Sequence, residues 1–103
     1  MLAEFSVVPL DKGATGLSQY VSKSLEIIES SGLDYEIHAL GTLVEGPSEE
    51  VWAVIRKCHE HMAAFSDRVV TTVKIDDRKG ATGRIKGKVR AVEEKIGHEL
   101  RKG

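Results

Sequence analysis

The sequence contains a single cysteine, Cys58, among its 103 residues. One cysteine cannot form an intrachain disulfide, and it gives no basis for a cysteine-based metal site. No apolar run approaches the roughly 20 residues that a membrane-spanning helix needs. The N-terminal residues also lack the basic region and the small-residue cleavage site of a signal peptide. We therefore expect a cytoplasmic protein without a membrane segment, a disulfide or a metal centre.

Aromatic residues make up only 5% of the chain, whereas 41% of the residues are hydrophobic and 30% are charged. This balance is typical of an ordinary globular protein. A chain of 103 residues is close to the commonest domain size and can bury a core without disulfide or metal staples. We therefore interpret residues 1–103 as a single domain.

The charges are unevenly distributed along the chain. Residues 1–73 carry 5 Lys and Arg against 11 Asp and Glu, a net charge of −6. Residues 74–103 carry 10 against 5, a net charge of +5. A basic segment can contact nucleic acid, and two parts of opposite sign favour self-association. A solvated helix face is the plainer interpretation of the same charges.

Apolar patterns predict four strands and three helices. The strands are "LAEFSVVPL", which ends at a proline, the hairpin pair "DYEIHA" and "TLVEG", and the β-branched "RVVTTVKID". Helical periodicity predicts a first helix over about 17–31 and a second from "GPSEE" to Phe65. A third helix is predicted over about 84–100, with a narrow stripe on an otherwise charged surface. That stripe has to dock on the domain or on another subunit; it consists of Ile85, Val89, Val92, Ile96 and Leu100.

The predicted order is β-α-β-β-α-β followed by the C-terminal helix. Split β-α-β connections of this kind produce a ferredoxin-like α+β sandwich, in which two helices cover one face of an antiparallel sheet. Right-handed crossovers place the first and third strands at the centre and the second and fourth at the edges.

The pentapeptide "KGATG" occurs twice, at residues 12–16 and 79–83, each time between a predicted strand and a predicted helix. Neither copy matches a P-loop or a dinucleotide-binding fingerprint. Glycine permits a turn with positive φ, and Thr15 or Thr82 could cap the following helix. In the predicted sheet the two loops lie at opposite ends of one subunit. We therefore favour turn and cap chemistry over a phosphate site, with a role between subunits left open.

The four histidines show no metal-binding spacing. His59 and His61 lie two positions apart on a predicted helix and so on different faces. His38 is more informative because it shares its strand parity with Glu36. If that parity is the face opposite the helices, a polar patch forms there. It is either a solvated or subunit-covered surface or a small-molecule site, and would include Glu4, Ser6, Glu36, His38, Thr72 and Lys74.

No pattern of nucleophile and base supports an enzyme. Cys58 lies within the apolar stripe of the second helix, where a buried, inert thiol is expected. The serines lie in helical or capping positions without a nucleophile elbow. Trp52 sits one position off the same stripe, and core packing is favoured over ligand stacking for it.

RNA binding on this fold uses aromatic residues on the two central strands. The central strands here offer Phe5 alone, and its parity points towards the core. The basic residues Lys86, Lys88 and Arg90 are not interleaved with aromatics. Nucleic-acid binding through the basic C-terminal segment is therefore the weaker alternative.

Three segments in order, "FSVVPL", "TLVEG" and "RVVTTVKIDDR", resemble the thiamine-binding, YkoF-like family of small ferredoxin-fold proteins. The resemblance covers the chain from about Leu2 to Ile96. It implies a non-catalytic protein that forms homodimers or homotetramers through its sheets and helices. It also implies that thiamine, or its pyrimidine portion, is the ligand.

The resemblance also implies the ligand-binding residues. By motif these are Ser6 of "FSVVP" and Thr42 and Glu45 of "TLVEG". A carboxylate can accept a hydrogen bond from the thiamine amino group or offset its thiazolium cation, and hydroxyls can satisfy ring nitrogens. His38 is added because its strand and parity place it near Ser6, and Trp52 because an aromatic ring could face the ligand.

Three hypotheses follow for this chain. The first is a carrier, sensor or buffer of a thiamine-type ligand in a homo-oligomer, with no cofactor. The second is a purely structural homo-oligomer without a thiamine site. The third is RNA binding through the basic segment.

Overall fold

A computed structural model of the chain describes residues 1–11 and 17–101, and side chains from Tyr20 onward in the second range. The first "KGATG" copy, at residues 12–16, lies outside the described residues. None of the helices in these two ranges is long and apolar enough to cross a membrane. The elements follow the predicted order: β1 (Leu2–Pro9), α1 (Leu17–Ser30), β2 (Asp34–His38), β3 (Gly41–Glu45), α2 (Ser48–Phe65), β4 (Val69–Asp76) and α3 (Arg84–Ile96).

The four strands form one antiparallel sheet in the order β2-β3-β1-β4. Phe5 of β1 lies opposite Thr42 of β3 on one side and Val73 of β4 on the other. The predicted ferredoxin-like architecture, with the first and third strands at the centre, is therefore confirmed.

The core lies between one face of the sheet and the helices α1 and α2. Ala3, Phe5 and Val44 line up across the sheet on this face, because alternate residues of a strand point to the same side. α2 buries Val51 and Cys58 against them. Each fully buried apolar side chain of this size stabilises the fold by about 1.5–3 kcal/mol. The predicted burial of the Cys58 thiol is confirmed.

Trp52 is 48% exposed on α2, so the prediction that it packs in the core is wrong. Neighbouring positions of an α-helix are separated by about 100° around its axis. The buried position belongs to Val51, and the next residue is turned towards solvent.

The C-terminal helix α3 lies on the other face of the sheet, next to β2 and β3. Its first apolar residues, Ile85 and Val89, are half-buried, whereas Val92 and Ile96 remain 49% and 46% exposed. α3 ends at Ile96 and not near Leu100 as predicted, because Gly97 adopts the left-handed conformation, φ 80°, and its N–H bonds to the carbonyl of Glu93. This is a common glycine C-cap. The helix therefore docks through its N-terminal half only.

Candidate functional site

A cavity of about 330 Å³ lies between α1 and the sheet, beside the β2–β3 turn. Most of its wall is apolar, and Phe5, Leu25 and Ile37 contribute to it. The cavity lies where β3 begins, at Gly41, and the last pairing of β1 with β3 is Phe5 with Thr42. Beyond that pair, Ser6, Val7 and Val8 of β1 have no partner in β3 among the described pairings, and all three line the cavity.

Three of the predicted ligand-binding residues, Ser6, His38 and Thr42, line this cavity. They come from three strands that are adjacent in the sheet, β1, β2 and β3. Thr42 shares the face of Phe5 and Ile37, its partners in the sheet. Ser6 and His38 have the opposite parity, so their side chains start from the other face of the sheet, where Nε2 of His38 lies beside Glu36. The structure thus places all three residues at the cavity, and of the three the side chain of Thr42 shares the sheet face that α1 covers.

His38 contributes an unsatisfied nitrogen. Its Nε2 is buried and has no hydrogen-bond partner among the described residues. Oε1 of Glu36 lies 3.1 Å from this nitrogen but outside hydrogen-bonding geometry. Buried polar atoms are almost always hydrogen-bonded, so an exception of this kind needs a functional or structural explanation. Nε2 of His61 on α2 is buried without a hydrogen-bond partner in the same way, so this feature does not by itself mark a ligand site.

The cavity is electrically neutral apart from its histidine. None of its described lining residues is Asp, Glu, Lys or Arg. Cys58 also lines the cavity, and its Sγ lies 3.8 Å from the carbonyl oxygen of Ser24. Burial raises the pKa of this thiol to about 11, so it stays protonated and inert at neutral pH. The arrangement suits an uncharged, flat group with a few polar atoms.

Glu45 lies away from this cavity and has a clear structural contact. It is three positions from Thr42, so its side chain is on the opposite face of the sheet. Its carboxylate is only 7% exposed and accepts hydrogen bonds from the backbone N–H of Arg84 at 2.8 and 3.0 Å and of Ile85 at 3.3 Å. Glu45 therefore caps the N-terminus of α3 from a distant strand.

The predicted cap by Thr82 at the second "KGATG" copy is wrong. The residue at the N-cap position of α3 is Gly83, with φ 61°, and it offers no side chain. Glu45 provides the oxygen instead. No local sequence pattern could have indicated this, because the two partners are 39 residues apart.

A second charged contact fixes α3 to β4. Oδ2 of Asp76 accepts hydrogen bonds from Nη2 of Arg84, at 2.9 Å, and from Nζ of Lys88. The bond from Arg84, followed by the one from Lys88, holds the pKa of Asp76 well below its usual range. The same pairing raises the pKa of Arg84.

His59 and His61 on α2 contact neighbouring side chains, although Nε2 of His61 is buried without a hydrogen-bond partner. Nδ1 of His59 lies 2.6 Å from Oγ1 of Thr71, and the ring of His61 lies 5.6 Å from that of Tyr20. Within residues 1–11 and 17–101, no three His, Cys, Asp or Glu side chains form a group that could hold a metal ion. Trp52 lines none of the described cavities, so its role in binding stays a prediction.

Comparison with known proteins gives a consistent result. A family model described as "Thiamine-binding protein" matches residues 3–93. A UPF0045 protein of Methanothermobacter thermautotrophicus is 42% identical over 96 residues, which covers 91% of this chain and 97% of the relative.

Two solved structures share the fold. The hypothetical protein MJ1052 of Methanocaldococcus jannaschii superposes with a TM-score of 0.79 at 38% identity, covering 90% of this chain and 95% of the other. A Thermotoga maritima protein described as a candidate thiamine biosynthesis/salvage protein superposes with a TM-score of 0.68 at 26% identity, covering 93% and 94%. The extent of the family match and these likenesses confirm the resemblance seen in the sequence: the chain belongs to the thiamine-binding protein family.

Proposed function

We propose that this protein binds thiamine, or a related compound that contains its aminopyrimidine ring, in the cavity between α1 and the sheet. It acts as a carrier, sensor or buffer and not as an enzyme. The observation that carries the proposal is the mainly apolar cavity itself, which no described Asp, Glu, Lys or Arg lines and to which Ser6, His38 and Thr42 all contribute. Membership of the thiamine-binding family supports the choice of ligand.

The chemistry of the ligand matches the cavity in its polarity. An aminopyrimidine is flat and uncharged, with ring nitrogens that accept hydrogen bonds and an amino group that donates them. The hydroxyls of Ser6 and Thr42 can donate or accept, and neutral His38 can do either according to its tautomer. The volume of about 330 Å³ falls at the lower end of the range for small-molecule sites.

The thiazolium ring of thiamine carries a permanent positive charge, and it fits the cavity less well. Burying an unpaired charge costs far more than burying a neutral ring, and no described carboxylate lines the cavity. We therefore place the pyrimidine inside and the thiazolium at the open end, in contact with water.

Isothermal titration with thiamine tests the proposal, and Thr42→Val provides the key variant. Valine keeps the shape of threonine but leaves a ligand nitrogen without its partner, so we expect about tenfold weaker binding. Thr82→Val is the matched control, because Thr82 is exposed in the loop between β4 and α3 and does not line the cavity. If wild-type protein releases no heat at millimolar thiamine and its melting temperature does not change, thiamine is not the ligand.

We further propose that the working form is a homodimer or homotetramer in the cytoplasm. The apolar stripe of α3 supports this, because Val92 and Ile96 are about half exposed on a helix that the sheet covers only in part. The opposite net charges of residues 1–73 and 74–103 favour contact between copies. An assembly role without a ligand is the second candidate function, and it rests on the same observations.

RNA binding is not favoured by the sheet. Phe5, the aromatic residue of β1 and β3, is buried under the helices and cannot stack on a base.

A further inference from the structure

The cavity beside α1 has an apolar rim. Four of its lining side chains are partly or fully exposed to water, from 39% to 94%: Val21, Leu25, Ile37 and Leu40. They come from α1, from β2 and from the turn between β2 and β3. Apolar side chains exposed singly are ordinary, whereas a group of them at one cavity marks a binding surface. The part of a ligand that projects from the cavity therefore meets hydrocarbon.

Leu40 is the most exposed large apolar residue in the described parts of the chain, at 94%. It lies in the turn that follows the last pairing of the hairpin, His38 with Gly41. A Cβ atom at Gly41 would lie 3.1 Å from the carbonyl oxygen of Phe5, so glycine lets this turn pack closely on β1. The backbone thus holds Leu40 at the cavity while its side chain lies in water, where it contributes nothing to the core.

The cavity offers no described partner for a phosphate group. Proteins hold phosphate with Lys and Arg side chains or with the free N–H groups at a helix N-terminus. None of the described lining residues is Lys or Arg, and the lining from α1 begins at Val21, past the first turn of that helix. The ion-pair contact that involves a lining residue adds a carboxylate instead, because Oε1 of Glu36 lies 3.1 Å from Nε2 of His38.

A group of cations lies on the opposite face of the sheet, at a second cavity of about 300 Å³ beneath α3. Each of them has a carboxylate beside it: Arg84 and Lys88 bind Asp76, and Lys74 lies opposite Glu4 in the register of β4 and β1. The two cavities share no lining residue. These cations therefore do not serve a ligand in the cavity beside α1.

We propose that the cavity beside α1 selects the free alcohol form of its ligand over the phosphate esters. This inference rests on the proposed function, in which the pyrimidine lies inside and the thiazolium with its hydroxyethyl arm lies at the open end. In a phosphate monoester that arm ends in a group with close to two negative charges at neutral pH. Such a group loses water at the apolar rim and gains no cation in return, whereas a hydroxyl loses little. A protein with this preference is occupied by free thiamine and not by its phosphorylated forms.

Isothermal titration with three compounds tests the preference: thiamine, thiamine monophosphate and thiamine diphosphate, each near neutral pH and at the same ionic strength. We expect the monophosphate to bind about tenfold more weakly than thiamine, and the diphosphate more weakly still. The titration with thiamine tests the proposed function separately from the preference.

Leu40→Lys locates the preference by placing a cation on the rim. Because Leu40 is almost fully exposed, we expect this variant to keep the melting temperature of the wild type. The ratio of the dissociation constants of the monophosphate and thiamine should fall by about tenfold, since a charge-assisted hydrogen bond to phosphate is gained. Ala91→Lys is the control, because it adds the same charge at an exposed position of α3 that lines none of the described cavities. Its ratio should equal that of the wild type.

Three outcomes would overturn the inference. If wild-type protein binds thiamine but binds the monophosphate equally or more tightly, the preference is absent and the proposed function still stands. If Leu40→Lys and Ala91→Lys change the ratio equally, or neither changes it, the preference does not arise at the rim. If thiamine itself does not bind, the proposed function and this inference fail together.

Discussion

Replacing Glu45 separates a structural role from a ligand-binding role for this residue. The sequence motif places it in a ligand site, whereas the structure places its carboxylate against the first two N–H groups of α3. Glu45→Ala removes that acceptor, and the cavity beside α1 keeps all of its lining. We therefore expect the variant to loosen α3 and to leave thiamine binding unchanged.

The size of the effect follows from the contacts. The carboxylate is 7% exposed and accepts bonds from two backbone donors that have no other described acceptor. Loss of an N-terminal cap costs about 0.5–2 kcal/mol, and leaving a buried donor unpaired costs about 1–3 kcal/mol. Part of this cost is recovered by water that reaches the exposed start of the helix. We expect a loss of about 1–3 kcal/mol in the free energy of unfolding.

Urea denaturation measures this loss, and amide hydrogen exchange shows where it arises. Exchange should accelerate in α3 and remain unchanged in α2, because opening α3 leaves the main core intact. Glu45→Gln should lose less of the free energy of unfolding, since its amide oxygen can still accept a hydrogen bond from the backbone of α3. Glu94→Ala is the control, as Glu94 is an exposed glutamate on the same helix.

Two outcomes would refute the reasoning about Glu45. Unfolding free energies of Glu45→Ala and Glu94→Ala that agree within experimental error would show that the cap contributes nothing. If Glu45→Ala keeps full stability but no longer binds thiamine, Glu45 belongs to the ligand site, as the motif implies.

Two further predictions follow from the structure. Val92→Asp should reduce the mass of the protein in sedimentation equilibrium towards that of one chain, because it puts a charge into the exposed stripe of α3. The control Ala91→Asp adds an equal charge at the neighbouring position and should leave the mass unchanged. If neither variant changes the mass, the stripe is not the contact between subunits. The folded protein should lose stability as the pH rises from 9 to 11, because burial raises the pKa of Cys58 from its ordinary value of 9.0 to about 11 and the unfolded chain releases that proton first. This contribution of Cys58 to the free energy of unfolding is fully present below pH 9 and falls by about 3 kcal/mol once the pH exceeds both pKa values. Urea denaturation across this range should show a weaker dependence of stability on pH for Cys58→Ala than for the wild type. An equal pH dependence in both proteins would contradict the assignment to this thiol.

Much of the fold could be predicted because its signals are local. Alternation along "LAEFSVVPL" indicates which side of β1 is buried, and Ala3 and Phe5 are indeed in the core. The periodic stripe of α2 places Cys58 in the interior for the same reason. The end of α3 was predicted wrongly, although its signal is also local, because Gly97 ends the helix. Leu100 lies beyond this glycine and has the spacing of the apolar stripe without belonging to the helix.

The candidate site could be predicted only in part. Ser6, His38 and Thr42 were chosen by motif and parity, and all three line the cavity, but its position depends on where the pairing of β1 with β3 stops. The separation of Glu45 from Thr42 follows from strand parity alone, because residues three positions apart on a strand point to opposite faces. The hairpin register was the uncertain step, since a shift of one residue would exchange the two faces.

The sequence by itself determined the order of the elements, the buried faces of β1 and α2, and the family, because periodicity and motif are properties of neighbouring residues. Only the tertiary structure decided that Glu45 caps α3, that Asp76 binds Arg84 and Lys88, and that two cavities lie on opposite faces of the sheet. These features join segments that are far apart in the chain, and their geometry depends on strand register and on where α3 docks. Pairwise packing across such distances leaves no periodic trace in the sequence.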